Sequence, residues 1–238
     1  MTKFNRTNLG LALVTVAALC GMAQEVAAKD SPLAFTVYVI NYARVDARTL
    51  VDAESAAAVV FHKSGVNVHW VTSFDASKEI PEEASGPGAS RISHLYLSIL
   101  SKAMSDRMGL PDRSMGLAPG NGVNRQHIYI FYSKVEALAQ NPICEIIAGN
   151  QYFSLVESLI LGHAIAHEIG HVLLNLEIHT DSGIMHGSWD MNELREMAKG
   201  RLGFSKQQRE DIRIEVARRM GRQEDLQTTG IEMASAAR

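Results

Sequence analysis

The sequence predicts an α/β fold: a small, twisted, mostly parallel sheet packed on a backing helix and a long central helix, followed by a mainly helical C-terminal part. Three observations carry this expectation. Residues 33–45 alternate apolar and polar side chains, with β-branched and aromatic enrichment, which is the period of a half-buried strand. Residues 47–63 then set Leu50, Val51, Ala57, Val60 and Phe61 on one helical stripe, Gly65 stops that helix, and Val66 to Val71 make the next strand. Strand, helix and strand in that order imply parallel pairing through a right-handed crossover. Residues 151–174 are apolar nearly all round a helix, from Leu155 and Val156 to Val172 and Leu173, so that helix is expected to lie buried against the sheet.

The remaining elements follow in order. Lys3 and Arg6 open the chain, Leu9 to Cys20 form an apolar stretch, and small residues then offer cleavage after Ala23 or Ala28. Residues 1–28 therefore read as a secretory signal peptide, and the mature chain is expected to be secreted or periplasmic. That apolar stretch is too short for a comfortable membrane span, so no stable membrane insertion is expected after cleavage. Leu19 stands before Cys20 where a lipoprotein signal wants a small residue. The net charge of −3, with no basic cluster, gives no reason to expect nucleic acid or an anionic membrane as partner. Of the two cysteines only Cys144 survives cleavage, which excludes an intrachain disulfide. It reads as a buried small hydrophobe or a pairing partner in a dimer, and the sequence does not specify an oligomeric state.

Residues 73–90, rich in Pro, Gly, Ser and acids, are expected to form a surface loop, and Ile92 to Leu100 a third strand. Residues 102–127 read as irregular, with Met115–Ala118 as a short strand before a Pro119-Gly120-Asn121-Gly122 turn. That turn lacks the GK[ST] ending of a phosphate loop. Ile128 to Tyr132 form a strong strand; Ser133 or a neighbour is then expected to cap a helix near 134–139 that ends at Asn141-Pro142. Asp190 is expected to cap a helix over 190–196, and Ser205 a last helix from Lys206 to Met220. Residues 29–221 are thus one domain, with an upper part to about 174 and a lower part over 175–221. The polar, weakly patterned 222–238 reads as a frayed tail. His62 and His69 read as structural or surface residues.

The chemistry is concentrated in residues 155–189, where His167-Glu168-Ile169-Gly170-His171 spells H-E-x-x-H. On a helix His167 and His171 are one turn apart and leave the same face, so both imidazoles reach one Zn²⁺. Two buried histidines beside a buried Glu would be costly without a metal. Catalytic zinc takes three protein ligands and keeps one position open, so a third ligand must follow. The candidates are His163, Glu177, His179, Asp181, His186, Glu193 and Glu196. His163 lies one turn before His167, but 163, 167 and 171 drift round a straight helix, so it reads as a supporting or pocket-wall group. Glu193 and Glu196 fall on the helix after Asp190, which reads as a solvated amphipathic helix.

The string AHEIGHVLLN…HTDSGIM resembles the metzincin zinc metallopeptidases, whose signature is H-E-x-x-H-x-x-G-x-x-H followed by a Met-turn. His179 resembles the third histidine and Ile184-Met185 the Met-turn. The family's Gly position is Leu174 and its third-His position is Glu177, so His179 arrives two residues late. This longer spacing is similar to that of a group of secreted, predicted zinc peptidases of soil bacteria. A helix that runs one residue further and turns at Asn175 repairs the register, because Asn tolerates the left-handed conformation that ends helices.

The resemblance implies a zincin-like fold with an antiparallel edge strand, for which Met115–Ala118 is the candidate, and along which a peptide substrate adds as an extra strand. It implies one catalytic Zn²⁺ on His167, His171 and His179, Glu168 as general base toward a zinc-activated water, and Met185 as a packing floor. Trp189, His186 and His163 are possible pocket residues. The expected function is an exported zinc metallopeptidase acting on a peptide or protein substrate. A zinc hydrolase of a non-peptide amide, a gluzincin-type peptidase using Glu193 or Glu196, and a non-catalytic zinc-binding protein on the same scaffold stay open. The intact Glu168 argues against the last. No oxyanion-stabilising side chain is evident from the sequence.

Overall fold

The computed structural model describes residues 32–73, 94–109, 114–120, 126–142, 144, 153–176 and 179–221. The signal peptide expected over 1–28, nearly all of the 73–90 loop, Glu177 and the 222–238 tail lie outside them. The elements are β1 (Ala34–Asn41), α1 (Ala47–His62), β2 (Asn67–Ser73), β3 (His94–Leu100), α2 (Lys102–Asp106), β4 (Gly116–Leu117), β5 (His127–Phe131), α3 (Tyr132–Ala139), α4 (Phe153–Leu173), α5 (Met191–Ala198) and α6 (Lys206–Arg219). The compact unit that contains them begins at Leu33. Among the described residues no helix is long and apolar enough to cross a membrane.

The five strands run in the order β2-β1-β3-β5-β4. The first four pair in parallel, and β4 alone runs antiparallel, with Gly116 opposite Ile130 and Leu117 opposite Tyr129. The protein is therefore α/β with a mostly parallel sheet and one antiparallel edge, and that edge falls within Met115–Ala118. Strand alternation sends Phe35, Val37, Val39, Leu95, Leu97, Ile99, Ile128 and Ile130 into one buried cluster with the apolar stripes of α1 and α4. Phe61 of α1 meets Phe35 of β1 edge-on, with ring centroids 5.2 Å apart. Helices α1 and α4 touch through small residues: a Cβ on Gly162 would collide with the Ala53 carbonyl and lie 2.7 Å from Ala56 Cβ. On the other face, Tyr38, Tyr96 and His127 occupy paired positions and stack at 5.6 and 5.3 Å, a ladder that the sequence reading did not contain.

Local chemistry sets most helix starts. Asp46 caps α1 by accepting from the Arg48 and Thr49 amides at 3.1 and 3.0 Å, and Gly65 with φ 72° turns the chain toward β2. Helices α5 and α6 each open with a capping box, Asp190 with Glu193 and Ser205 with Gln208. Two expectations are corrected. Neither Ser133 nor a neighbour caps α3 with its side chain: the helix starts at Tyr132 straight out of β5, with Phe131 at the N-cap position and no side-chain cap. Burial of Val135 and Ala139 sets that helix's phase, so Ser133 falls inside its first turn. The stretch read as irregular also contains the five-residue helix α2, with Ser101 at its N-cap.

Candidate metal centre

Helix α4 carries the first two imidazoles. It is buried from Ile160 to Leu173, and His167 and His171 face the same side, with rings 4.7 Å apart. The end of the helix decides where the chain goes next. Asn175 adopts φ 50°, and the Leu176 amide donates to the His171 carbonyl at 3.3 Å, the six-to-one bond of a left-handed helix stop. The turn expected at Asn175 is thus present. It releases the chain so that His179 comes back over the helix, its ring stacked on His167 at 5.2 Å.

Three Nε2 atoms converge. His171 Nε2 lies 3.1 Å from His167 Nε2 and 3.3 Å from His179 Nε2. The nitrogens of the three residues all lie within 4.8 Å of one another, a set that could hold a metal ion. Two ligands ~2.0–2.1 Å from a tetrahedral ion sit about 3.3–3.4 Å apart, so the spacing fits zinc.

The outer nitrogens define the protonation. His167 Nδ1 donates to the Ile184 carbonyl at 2.6 Å, and His171 Nδ1 to the Leu176 carbonyl at 2.9 Å. Each ring therefore keeps its proton on Nδ1 and turns a bare Nε2 lone pair toward the other. Lone pairs at 3.1 Å repel unless a cation lies between them, which is the argument that this donor set suits a metal. Burial pushes His167 down to about 3, with the neighbouring His171 and His179 charges adding to the fall and the Ile184 carbonyl opposing it. His179 is exposed and also falls below the ordinary value, first through desolvation and then through the His186 charge. Neutral imidazoles are the form a metal binds.

Met185 is fully buried and packs under α4 at Gly170, where a Cβ would lie 2.6 Å from its sulfur and 2.8 Å from Phe204 Cε1. The Ile184 carbonyl before it serves both His167 and the Trp189 indole, which donates at 3.3 Å. Above the three rings opens a cleft of about 420 Å³. Residues 114–120, including β4, line one side, and His186, Gly187 and Trp189 line another. Glu168 is buried in the cleft wall against β4. A Cβ on Gly116 would fall 2.6 Å from Glu168 Cγ and 2.7 Å from the Tyr129 carbonyl, so only glycine lets the edge strand pass so close.

No family model matches this chain, and no curated protein does. What the cleft can do rests on its own atoms.

The structure brings His167, Glu168, His171, His179, His186 and Trp189 to one cleft. It does not bring His163 there. That side chain is 4% exposed, its Nδ1 donates to the Leu159 carbonyl at 2.8 Å, and burial holds its pKa below the ordinary value. It is a satisfied core histidine, because each step of four along a straight helix rotates the side chain further from the cleft. Glu196 is also elsewhere, in a bidentate pair with Arg201 at 2.7 and 2.6 Å on the surface. Glu193 is buried, with Oε2 accepting from the Asp190 amide and Oε1 3.1 Å from His186 Nδ1, so neither oxygen belongs to the imidazole cluster.

Sequence reading missed the glycines. Gly116 against Glu168, and Gly187, where a Cβ would lie 2.7 Å from His179 Cγ, are both places of close approach. A glycine inside a predicted strand was the available signal for Gly116. Nothing in the sequence marked the Ile184 and Leu176 carbonyls.

Proposed function

We propose that this chain is an exported, metzincin-like zinc metallopeptidase, with one Zn²⁺ held by His167, His171 and His179 and Glu168 as general base in peptide-bond hydrolysis. The observation that carries the proposal is the convergence of three Nε2 atoms, two of them on rings oriented by backbone carbonyls, beside a buried Glu at an antiparallel sheet edge. When bound, zinc supplies Lewis acidity, polarising a carbonyl and lowering the pKa of water toward neutrality.

The chain's own groups supply the rest. The Ile184 and Leu176 carbonyls hold two ligand rings in one tautomer and orientation. Glu168, pressed between α4 and Gly116, takes the proton of the attacking water and returns it to the leaving amine. Strand β4 ends the sheet among the described strands, so its outer backbone is free of a sheet neighbour beside the cleft. An extended peptide laid along it meets main-chain donors and acceptors whatever its sequence. The cleft is bordered by apolar groups of Met115, Leu117, Leu176 and Trp189, which suits an apolar substrate side chain better than a charged one.

The test is the zinc content of the purified chain, together with cleavage of an unfolded protein substrate with and without chelator. One zinc per chain and chelator-sensitive cleavage are expected. Glu168→Ala should keep the zinc and lose about 10²–10⁴ in rate. A variant that cleaves at the wild-type rate would remove Glu168 from the mechanism. Zinc without any cleavage would move the chain to a narrow substrate or a binding role.

A further inference from the structure

The two edges of the sheet differ. Strand β4 ends it beside the cleft with two residues, whereas β2 ends it, among the described strands, with seven, Asn67–Ser73. An edge strand offers a row of unpaired backbone donors and acceptors, and native proteins blunt that row with a charge, a proline, a bulge or a very short strand. Strand β2 carries none of these. Its sequence, NVHWVTS, contains no Asp, Glu, Lys, Arg or Pro, and its register on β1 runs unbroken from Ala34 opposite Asn67 to Ile40 opposite Ser73. Asn67, His69 and Val71 are exposed, Val71 at 44%.

We propose that β2 is an association edge, along which two copies of this chain pair antiparallel about a two-fold axis at Trp70. The backbone sets the register. The Asn67 amide donates to Leu33 O at 2.8 Å, so Asn67, and by alternation His69, Val71 and Ser73, turn N–H and C=O toward β1. Val68, Trp70 and Thr72 turn theirs outward. In a pair centred on Trp70, that residue faces Trp70 of the second copy and Val68 faces Thr72, so every outward N–H meets an outward C=O. A slip of one residue sets outward groups against inward ones. A slip of two leaves one outward residue of each strand without a partner.

The side chains make the edge self-complementary, as a two-fold interface requires. Val68, Trp70 and Thr72 share the side of the sheet that carries Phe35, Val37 and Val39, so pairing joins core side to core side. The β-branched Val68 and Thr72 stand opposite each other, and Trp70, only partly buried against its own core, meets its equivalent across the axis. On the other side His69 faces Val71, and the strand brings no carboxylate or ammonium against its like. Helix α1 supplies the contact that favours a second copy over an unrelated strand. The Thr72 hydroxyl donates to Glu54 at 2.5 Å, which sets that side of α1 over β2. Val51, three residues before Glu54 on the same side, is 53% exposed. Two-fold pairing brings the α1 of the second copy alongside and gives Val51 an apolar neighbour. The cleft borders β4, at the opposite end of the strand order, and stays open in the pair.

Sedimentation of the purified chain over a concentration series should show a reversible monomer–dimer equilibrium. Val68→Pro deletes an outward N–H from each chain, and Val71→Lys puts a cation on the strand; each should weaken dimerisation about tenfold or more. Oxidation reads the register. In this pairing His69 and Val71 of the second copy form a non-hydrogen-bonded pair with Cα atoms about 4.5 Å apart, within disulfide range. The double variant His69→Cys with Val71→Cys should therefore form a reducible covalent dimer. Neither single variant should, because equivalent residues lie diagonally, at about 7–8 Å. The buried Cys144 is common to all these proteins and gives the background. A wild type that stays monomeric at every concentration would overturn the proposal. So would a dimer that Val68→Pro and Val71→Lys leave unweakened, or one with no crosslink in the double variant. If Val68→Pro does not fold, Val71→Lys and the cysteine pair still decide. None of the substituted residues lines the cleft, so failure here leaves the metal reading standing.

Discussion

His167 and His171 sit on a buried helical turn, each ring tied by Nδ1 to a backbone carbonyl, whereas His179 stands on an exposed segment beyond the helix stop at Asn175. The first two owe their spacing to the helix itself, since i and i+4 share a face in any α-helix. The third owes its position to a sequence of tertiary contacts: the left-handed turn, the packing of Met185 under Gly170, and the ring's seat on Gly187. The same three-imidazole cluster is thus half secondary structure and half packing. Damage to the two halves should differ accordingly.

The largest expected difference is in zinc affinity. Removal of a group that merely orients a ligand costs about 10–100-fold, so losing a ligand should cost more than about 10²-fold. His171→Ala should be the worse variant, because it leaves one helical ligand. His179→Ala leaves a preformed pair and should keep weak binding, measurable by competition with a chelator. Wild-type affinity in His179→Ala would break the comparison, because the loop half would then contribute no ligand.

Next comes packing beneath the loop half. Gly170→Ala puts a methyl 2.6 Å from the Met185 sulfur and 2.8 Å from Phe204, both in the core. Overpacking of this kind costs about 1–3 kcal/mol. Zinc affinity should fall with it, because Met185 follows Ile184, whose carbonyl orients His167. A thermal melt and a zinc titration check both effects. Unchanged affinity in a destabilised protein would show the two halves to be less linked than their contacts suggest.

A pH series sharpens the helical half. His167 is lowered to about 3 from 6.5, chiefly by burial. Between those values the unfolded chain binds the extra proton and the folded chain does not. Stability of the metal-free protein is therefore full above about 6.5 and falls as pH drops toward 3. Melting temperatures at several pH values check this, and His167→Gln should flatten the dependence over that window. An equal slope in the variant would remove His167 as its source. The smallest effect is at the junction of the halves. Asn175 holds φ 50°, which costs an ordinary L-residue about 1–2 kcal/mol, so Asn175→Ala should lose about 1 kcal/mol and Asn175→Gly almost nothing. Equal melting temperatures for the two variants would take the left-handed strain out of the account.

Legibility followed the range of the interaction. The opening β1-α1-β2, the buried α4, the capping residues Asp190 and Ser205, and the turn at Asn175 were all readable, because each depends on residues a few positions apart. His163, read as a supporting or pocket-wall group, lies in the core and does not line the cleft. It shares the four-residue spacing of His167 and His171, and spacing gives the drift round the helix but not where the cleft ends. The start of α3 was missed because tertiary burial of Val135 outweighed the capping preference of Ser133.

By itself, then, the sequence determined an α/β chain with two imidazoles and a carboxylate on one buried helix, a left-handed stop after them, and a later His and Met in reach. Those follow from helical periodicity, side-chain capping and the conformational tolerance of Asn, which act within a few residues. Only the tertiary structure decided that His179 closes the triad, that Gly116 lets the edge strand press on Glu168, and that Glu193 turns to His186 instead of to the three-imidazole cluster. Each of these joins parts of the chain that are not neighbours on one element. Their distances are set by how the sheet, α4 and the segment after Asn175 pack together, a quantity no local pattern encodes.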